Sequence, residues 1–194
     1  MLTSLFNEKP NEILCNSKLL ENYLRTTYSN YKFISSTTKD VKTGHDINEE
    51  TEKYDLVVLD YTLNKNVGLL KKIKHPEKIE ILCNEVCQEN CPNRQKHYKT
   101  ISEAILYDDT SLLPTCEFAN TPFYKVKTRK HFISKDEIND FLNKGILNFK
   151  LVGRHTGPFD LVEILLYYLI KDEYQDEMRH TFQEILLTIL NQTT

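Results

Sequence analysis

Three cysteines stand within nine residues, Cys83, Cys87 and Cys91, and Pro92 follows the last of them directly. Thiolates are soft ligands, and short, regular spacing of them suits a transition metal or an iron–sulfur cluster. A proline placed immediately after a ligand cysteine is a feature of iron–sulfur loops. Successive cysteines here are separated by three residues, unlike the two-residue knuckle of typical structural zinc sites. A tetrahedral ion or a cubane cluster takes four ligands. Cys116, in LLPTCEF, is the distant candidate to join Cys87 and Cys91, with Cys83 or Cys15 open as a fourth. Both of those lie in apolar, strand-like runs, where a cysteine reads equally well as a small buried hydrophobe.

Arg94, His97 and Tyr98 follow the cysteines. The planar guanidinium of Arg94 suits bidentate contact with a carboxylate or phosphate. His97 has three readings: a ligand, a proton donor or a structural histidine. Arg154, in LVGRH, follows another strand-like run and reads either as an anion-binding residue or as half of an ion pair, with Asp60 as its candidate partner. Nothing in the pattern fixes the direction of His155. The basic stretch from Lys125 to His131 reads as a solvated loop rather than a phosphate site.

The elements that must position these groups alternate between strand and helix. EILC (12–15), YKFISS (31–36), DLVVLDY (55–61), KIEILCN (78–84) and NFKLVG (148–153) read as five strands. DLVVLDY is almost continuously apolar, as a strand covered on both faces should be. Asn16 and Ser17 are helix-cap types, and Leu19, Leu20, Tyr23 and Leu24 recur at helical spacing. LLKKI (69–73) supplies a short helix. Ser134 and Glu137 have capping-box spacing, opening a helix that buries Ile138, Phe141 and Leu142 and stops at Gly145. Pro158 suits the first turn of a helix to about Ile170. A last amphipathic helix over 173–191 turns Phe182, Ile185, Leu186 and Ile189 inward. The stretch from Pro92 to about Lys130 has no clear period. Strands alternating with helices imply parallel βα units, which gather chemistry at the C-terminal strand ends. Ser35–Thr38, Asp60–Asn64, Asn84–Cys91 and Arg154–His155 all fall at such ends.

The chain has 194 residues, enough for one α/β domain over 1–194 but short of the ~250 of a complete eight-stranded barrel. The expected fold is therefore an incomplete or truncated TIM-like barrel. A net charge of −3 gives no support for nucleic-acid binding. There is no apolar run near the ~20 residues of a membrane span and no secretory leader, so a cytoplasmic protein is expected. Five cysteines, an odd number, in a reducing compartment favour ligands over disulfides. No Ser–His–Asp order and no zinc-protease helix motif is present.

Two segments carry a resemblance. NFKLVGRHTGPFDLVEILLYYL resembles the K-I-E-G-R strand and following helix of the collagenase-like peptidase family, which includes accessory proteins for oxygen-independent hydroxylation of tRNA and ubiquinone. Lys150, Gly153 and Arg154 match, and Val152 replaces the acidic residue. ILCNEVCQENCPNRQKHY resembles the N-x-x-C-x-x-x-C-P-x-R-x-x-H loop of related bacterial barrel proteins through Asn84, Cys87, Cys91, Pro92, Arg94 and His97. FISSTTK and VVLDYTLN are also similar to segments of those proteins, so the likeness covers roughly 12–170. It implies a barrel-like fold that starts late, without the first two strands, and a four-cysteine iron–sulfur cluster. It also implies an aliphatic position at Cys83, leaving Cys87, Cys91 and Cys116 as the ligand core.

The resulting expectation is a [4Fe-4S] protein acting in a redox or hydroxylation-type modification, itself an enzyme or an accessory subunit. Cys87, Cys91 and Cys116 hold the cluster, Cys83 contends for the fourth place, and Arg94, His97 and Arg154 bind an anionic substrate. The alternatives are a zinc-stabilised module, or a degenerate barrel that binds a protein partner or a second copy of itself.

Overall fold

The computed structural model describes residues 11–153 and 156–192, without the side chains of Leu190 and Gln192. Five strands form one all-parallel sheet in the order β1-β2-β3-β4-β5: β1 Glu12–Leu14, β2 Lys32–Ser35, β3 Leu56–Val58, β4 Ile79–Leu82 and β5 Asn148–Lys150. The order follows the chain without reversal. Since parallel crossovers are right-handed, the connecting helices are all laid on one face of the sheet.

Register and burial identify that face. Ile13 pairs with Phe33, Val57 with Ile79 and Ile81 with Phe149. Phe33, Val57, Leu59, Ile79, Ile81 and Cys83 form the buried core with Ile47, Leu70, Ile73, Ile133, Phe141 and Ile146 from the helical layer. The other face carries Glu12, Lys32, Glu80 and Lys150 among apolar residues, and Lys150 lies 3.5 Å from Glu80.

The helices have local causes. Ser17 caps α1 (Lys18–Thr27) through the Leu20 N–H. Thr43 caps α2 (Gly44–Lys53), and Asn66 caps the short α3 (Val67–Leu70). α4 spans Arg94–Tyr107 and α5 spans Phe123–Val126. α6 (Lys135–Leu142) opens on a complete Ser134–Glu137 capping box. Gly145 follows with φ +82°, where a Cβ would be strained and would meet Pro76 at 3.2 Å. Pro158 begins α7 (Pro158–Leu169), which packs against α8 (Asp172–Gln192). No helix among the described residues is long and apolar enough to cross a membrane.

Two expectations about helix faces, on α6 and α8, are corrected, and on α1 only Leu24 of the four apolar residues packs on the core. On α1 it is Glu21 that is buried, while Leu19, Leu20 and Tyr23 are exposed, Leu19 to 85%. The helix turns an ionic network inward: Glu21 accepts from Arg25 and from Tyr54, and Arg25 lies over the Phe33 ring. On α6, Phe141 is buried and Ile138 packs on the core, but Leu142 is exposed. On α8, Phe182 and Leu186 are half-buried, but Ile185 and Ile189 are exposed, because this helix packs chiefly on α7.

Candidate functional site

The C-terminal ends of β2, β3 and β4 converge on Arg94. After β2, a 3-10 turn at Thr37–Lys39 is capped by Ser36. After β3, Asp60 caps a second 3-10 turn, Tyr61–Leu63: its Oδ1 accepts the Thr62 N–H at 2.9 Å and the Thr62 hydroxyl at 2.6 Å. That turn leaves Oδ2 free for a partner from a distant part of the chain. After β4, the cysteine loop runs to the N-terminus of α4, where Arg94 sits on the first turn.

Arg94 is the organising cation at this end of the sheet. Its Nη1 donates to Asp60 at 2.6 Å, its Nη2 to the Thr37 hydroxyl at 3.1 Å and its Nε to the Tyr98 hydroxyl at 2.9 Å. The guanidinium carbon stands 4.3 Å from the centre of the Tyr61 ring, a cation–π contact. Burial alone would raise the Asp60 pKa, but the Thr62 donors and the Arg94 charge outweigh it and hold the carboxyl below its ordinary value. Asp60, the candidate partner of Arg154 in the ion-pair reading, pairs with Arg94. Arg154 and His155 lie outside the described residues.

Cys87 and Cys91 lie half-buried on the same loop. Burial, with the neighbouring Cys91 and Glu85, pushes the Cys87 thiol up to about 11. The loop is pinned where it passes these residues. The Cys87 N–H donates to Glu85 Oε1, and the Tyr61 hydroxyl donates to the Gln88 carbonyl at 3.0 Å. Asn90 supplies the left-handed step between the cysteines, φ 55°, which Asn tolerates better than most side chains. Beside them a shallow cleft of about 80 Å³ is lined by Lys42, Tyr61, Thr62, Cys91 and Arg94 among others.

The remaining candidates sit elsewhere. Cys83 is fully buried in the helix-facing core, its thiol directed at the Ile81 carbonyl and pushed by burial up to about 12. The two-residue alternation of β4 turns it to the face opposite Asn84. Cys15 is buried at the end of β1. Cys116 is half-buried in the turn region that follows α4. Among the described residues, no group of three or more His, Cys, Asp or Glu side chains is placed to hold a metal ion. His97 is half-exposed on the first turn of α4, one turn beyond Arg94.

Asn84 has a different task from the cysteines beside it. Its Nδ2 donates to the Val152 carbonyl at 2.9 Å and its Oδ1 accepts the Val152 N–H at 2.7 Å. The side chain mimics a strand and ties the end of β5 to the end of β4. His131 was not foreseen at this site. It is 2% exposed, lies tilted against the Tyr61 ring with centroids 4.7 Å apart, and places Nε2 3.0 Å from the Glu85 carbonyl, while its Nδ1 has no hydrogen-bond partner. Burial holds its pKa below the ordinary value. The basic stretch around it is only half a solvated loop, since Val126, His131, Phe132 and Ile133 are buried. The signal for this was the apolar run starting at Phe132.

No family model, curated protein or solved structure matches the chain.

Proposed function

We propose that the chain is an incomplete TIM-like barrel that binds an iron–sulfur cluster at its C-terminal mouth and serves a redox or hydroxylation-type modification. The observation that carries this reading is that Cys87 and Cys91 stand half-buried on one short, pinned loop that leads into Arg94. Two soft donors on one short, pinned loop suit iron or zinc. The fit is partial: the pair accounts for two of four cluster positions, Cys83 is held in the core, and Cys116 is the thiol left to supply a third. When bound, a cluster of this kind supplies one-electron chemistry.

The chain's own residues bind and orient. Arg94 keeps N–H groups beyond its three side-chain contacts, and it lines the cleft with Lys42 and Thr62. A carboxylate or phosphate group of a substrate is suited to that cleft, with His97 one turn along α4.

Oxygen-free purification followed by a visible spectrum and iron, zinc and sulfide analysis tests the reading. Brown protein with iron and labile sulfide supports it. Colourless protein with one zinc per chain selects the zinc-stabilised module. Protein that stays colourless and metal-free after reconstitution overturns both.

A further inference from the structure

We infer that a second copy of this chain closes the sheet, giving a twofold barrel of two five-stranded halves. The inference rests on the incomplete-barrel part of the proposed function and is independent of the cluster. Among the described residues, β1 and β5 each pair with one neighbour, so the sheet has two different edges running in the same direction. A half-turn about an axis parallel to the strands sets β5 of one copy beside β1 of the other, in parallel, at both joints. The two joints are then identical, as a twofold assembly requires. Unpaired strand edges of this kind are a liability unless covered.

The side chains at the two edges agree with this. Beside β1, α1 exposes Leu19, Leu20 and Tyr23. Arg25 of the same helix reaches the Lys53 carbonyl at the end of α2. At 100° per residue, the exposed three point at least about 120° away from Arg25, on the side of α1 turned away from α2 and the core. Leu14 on β1 is exposed with them. Beside β5, α7 exposes Leu161, Leu165 and Leu169, one stripe at four-residue spacing. The opposite side of α7 holds Ile164 and Tyr167 against Phe123 and Phe132. In the twofold arrangement α7 of one copy lies next to α1 of the other, and the two apolar stripes meet. Apolar stripes flanking both open edges are what a buried interface presents when its partner is removed.

Light scattering on the full chain under reducing conditions, with and without iron, tests this. The expected mass is twice the 22.9 kDa of one chain in both states. Leu20→Glu and Leu165→Glu alter exposed positions and are each expected to give a folded monomer by circular dichroism. A dimer that survives both substitutions forms through another surface and overturns the inference. So does a wild-type monomer, and hydrogen exchange then locates the failure. Unprotected β1 and β5 edges leave the incomplete barrel standing with a different protein as its partner. Protected edges show that the chain covers them itself, and the incomplete-barrel reading falls too.

Discussion

Arg94 reaches back 34 residues to Asp60 and donates to it at 2.6 Å, with side-chain exposures of only 8% and 1%. A buried pair of this kind need not be a net stabiliser against an apolar substitute, but removing one partner strands the other charge. Arg94→Ala is therefore expected to cost about 3–5 kcal/mol, read from urea denaturation. Arg94→Lys is expected to recover little, because an ammonium cannot serve Asp60, Thr37 and Tyr98 in three directions at once. Full recovery by Lys would show that charge alone matters at this position.

The same pair sets an acid limit. The folded pKa of Asp60 lies below its ordinary 3.8, so the unfolded chain takes up the proton first as pH falls. The stabilisation is complete well above 3.8 and is lost as pH drops through the folded value. Urea midpoints of wild type and Asp60→Asn should differ at pH 7 and begin to converge below about pH 4. A gap that stays constant to pH 3 would remove Asp60 from the acid response.

Asn84 holds the Val152 N–H and carbonyl together, so truncating it leaves two backbone groups unpaired at this end of the sheet. Asn84→Ala is expected to cost about 1–3 kcal/mol for each group that stays dry. Asn84→Asp keeps the acceptor for the Val152 N–H but turns a carboxylate oxygen toward the Val152 carbonyl, and it should be at least as harmful. Amide exchange reads the effect locally: Val152 should lose protection while Val57 in the middle of the sheet keeps it.

All five strands were legible in the sequence because each is a short apolar run bounded by polar residues, and each lies inside the span expected for it. The Ser134–Glu137 box and the Gly145 stop were legible because caps depend on local chemistry. α2 was not legible. Its ten residues bury only Ile47 and Thr51, so no apolar stripe marks it. That Cys87 and Cys91 share one loop after β4 could be anticipated from spacing. The partners of Arg94 could not, since Thr37, Asp60 and Tyr61 come from other strand ends and meet only through the sheet order. His131 was hidden by the lysines and arginine around it.

The inward face of α1 has an energetic basis that can be measured. Periodicity favours its leucines as the inward side, yet Glu21 is buried with the Tyr54 hydroxyl 2.7 Å from both its oxygens. Lys39 donates to the same hydroxyl and lies 3.5 Å from Glu21. Burial would raise the Glu21 pKa, but hydrogen bonds from Tyr54 and Arg25 outweigh it and lower the value. Tyr54→Phe removes a neutral link and should cost about 1–2 kcal/mol. Glu21→Ala should cost more, because it leaves Arg25 and Lys39 facing each other without their shared anion. Equal melting temperatures for the two variants would show that the carboxylate is not the centre of this network.

The five cysteines divide by environment, and that division separates folding from ligation. Cys83 packs among Ile81, Ile133 and the rest of the core, so Cys83→Ser buries a hydroxyl with poor prospects of a good partner. It should lower stability by about 1–3 kcal/mol while leaving the iron bound per folded chain unchanged. Cys87 and Cys91 are only half-buried on their loop, so serine there should barely move the melting temperature of the metal-free protein. Each of those substitutions should instead remove most of the iron taken up on reconstitution, since a hard hydroxyl replaces a soft thiolate. Cys116→Ser decides whether its half-buried turn contributes a ligand: loss of iron equal to that in Cys87→Ser places it in the set, and unchanged iron restricts the chain's contribution to the Cys87–Cys91 pair. Loss of iron in Cys83→Ser with the melting temperature unchanged would reverse the division and make the buried thiol the ligand.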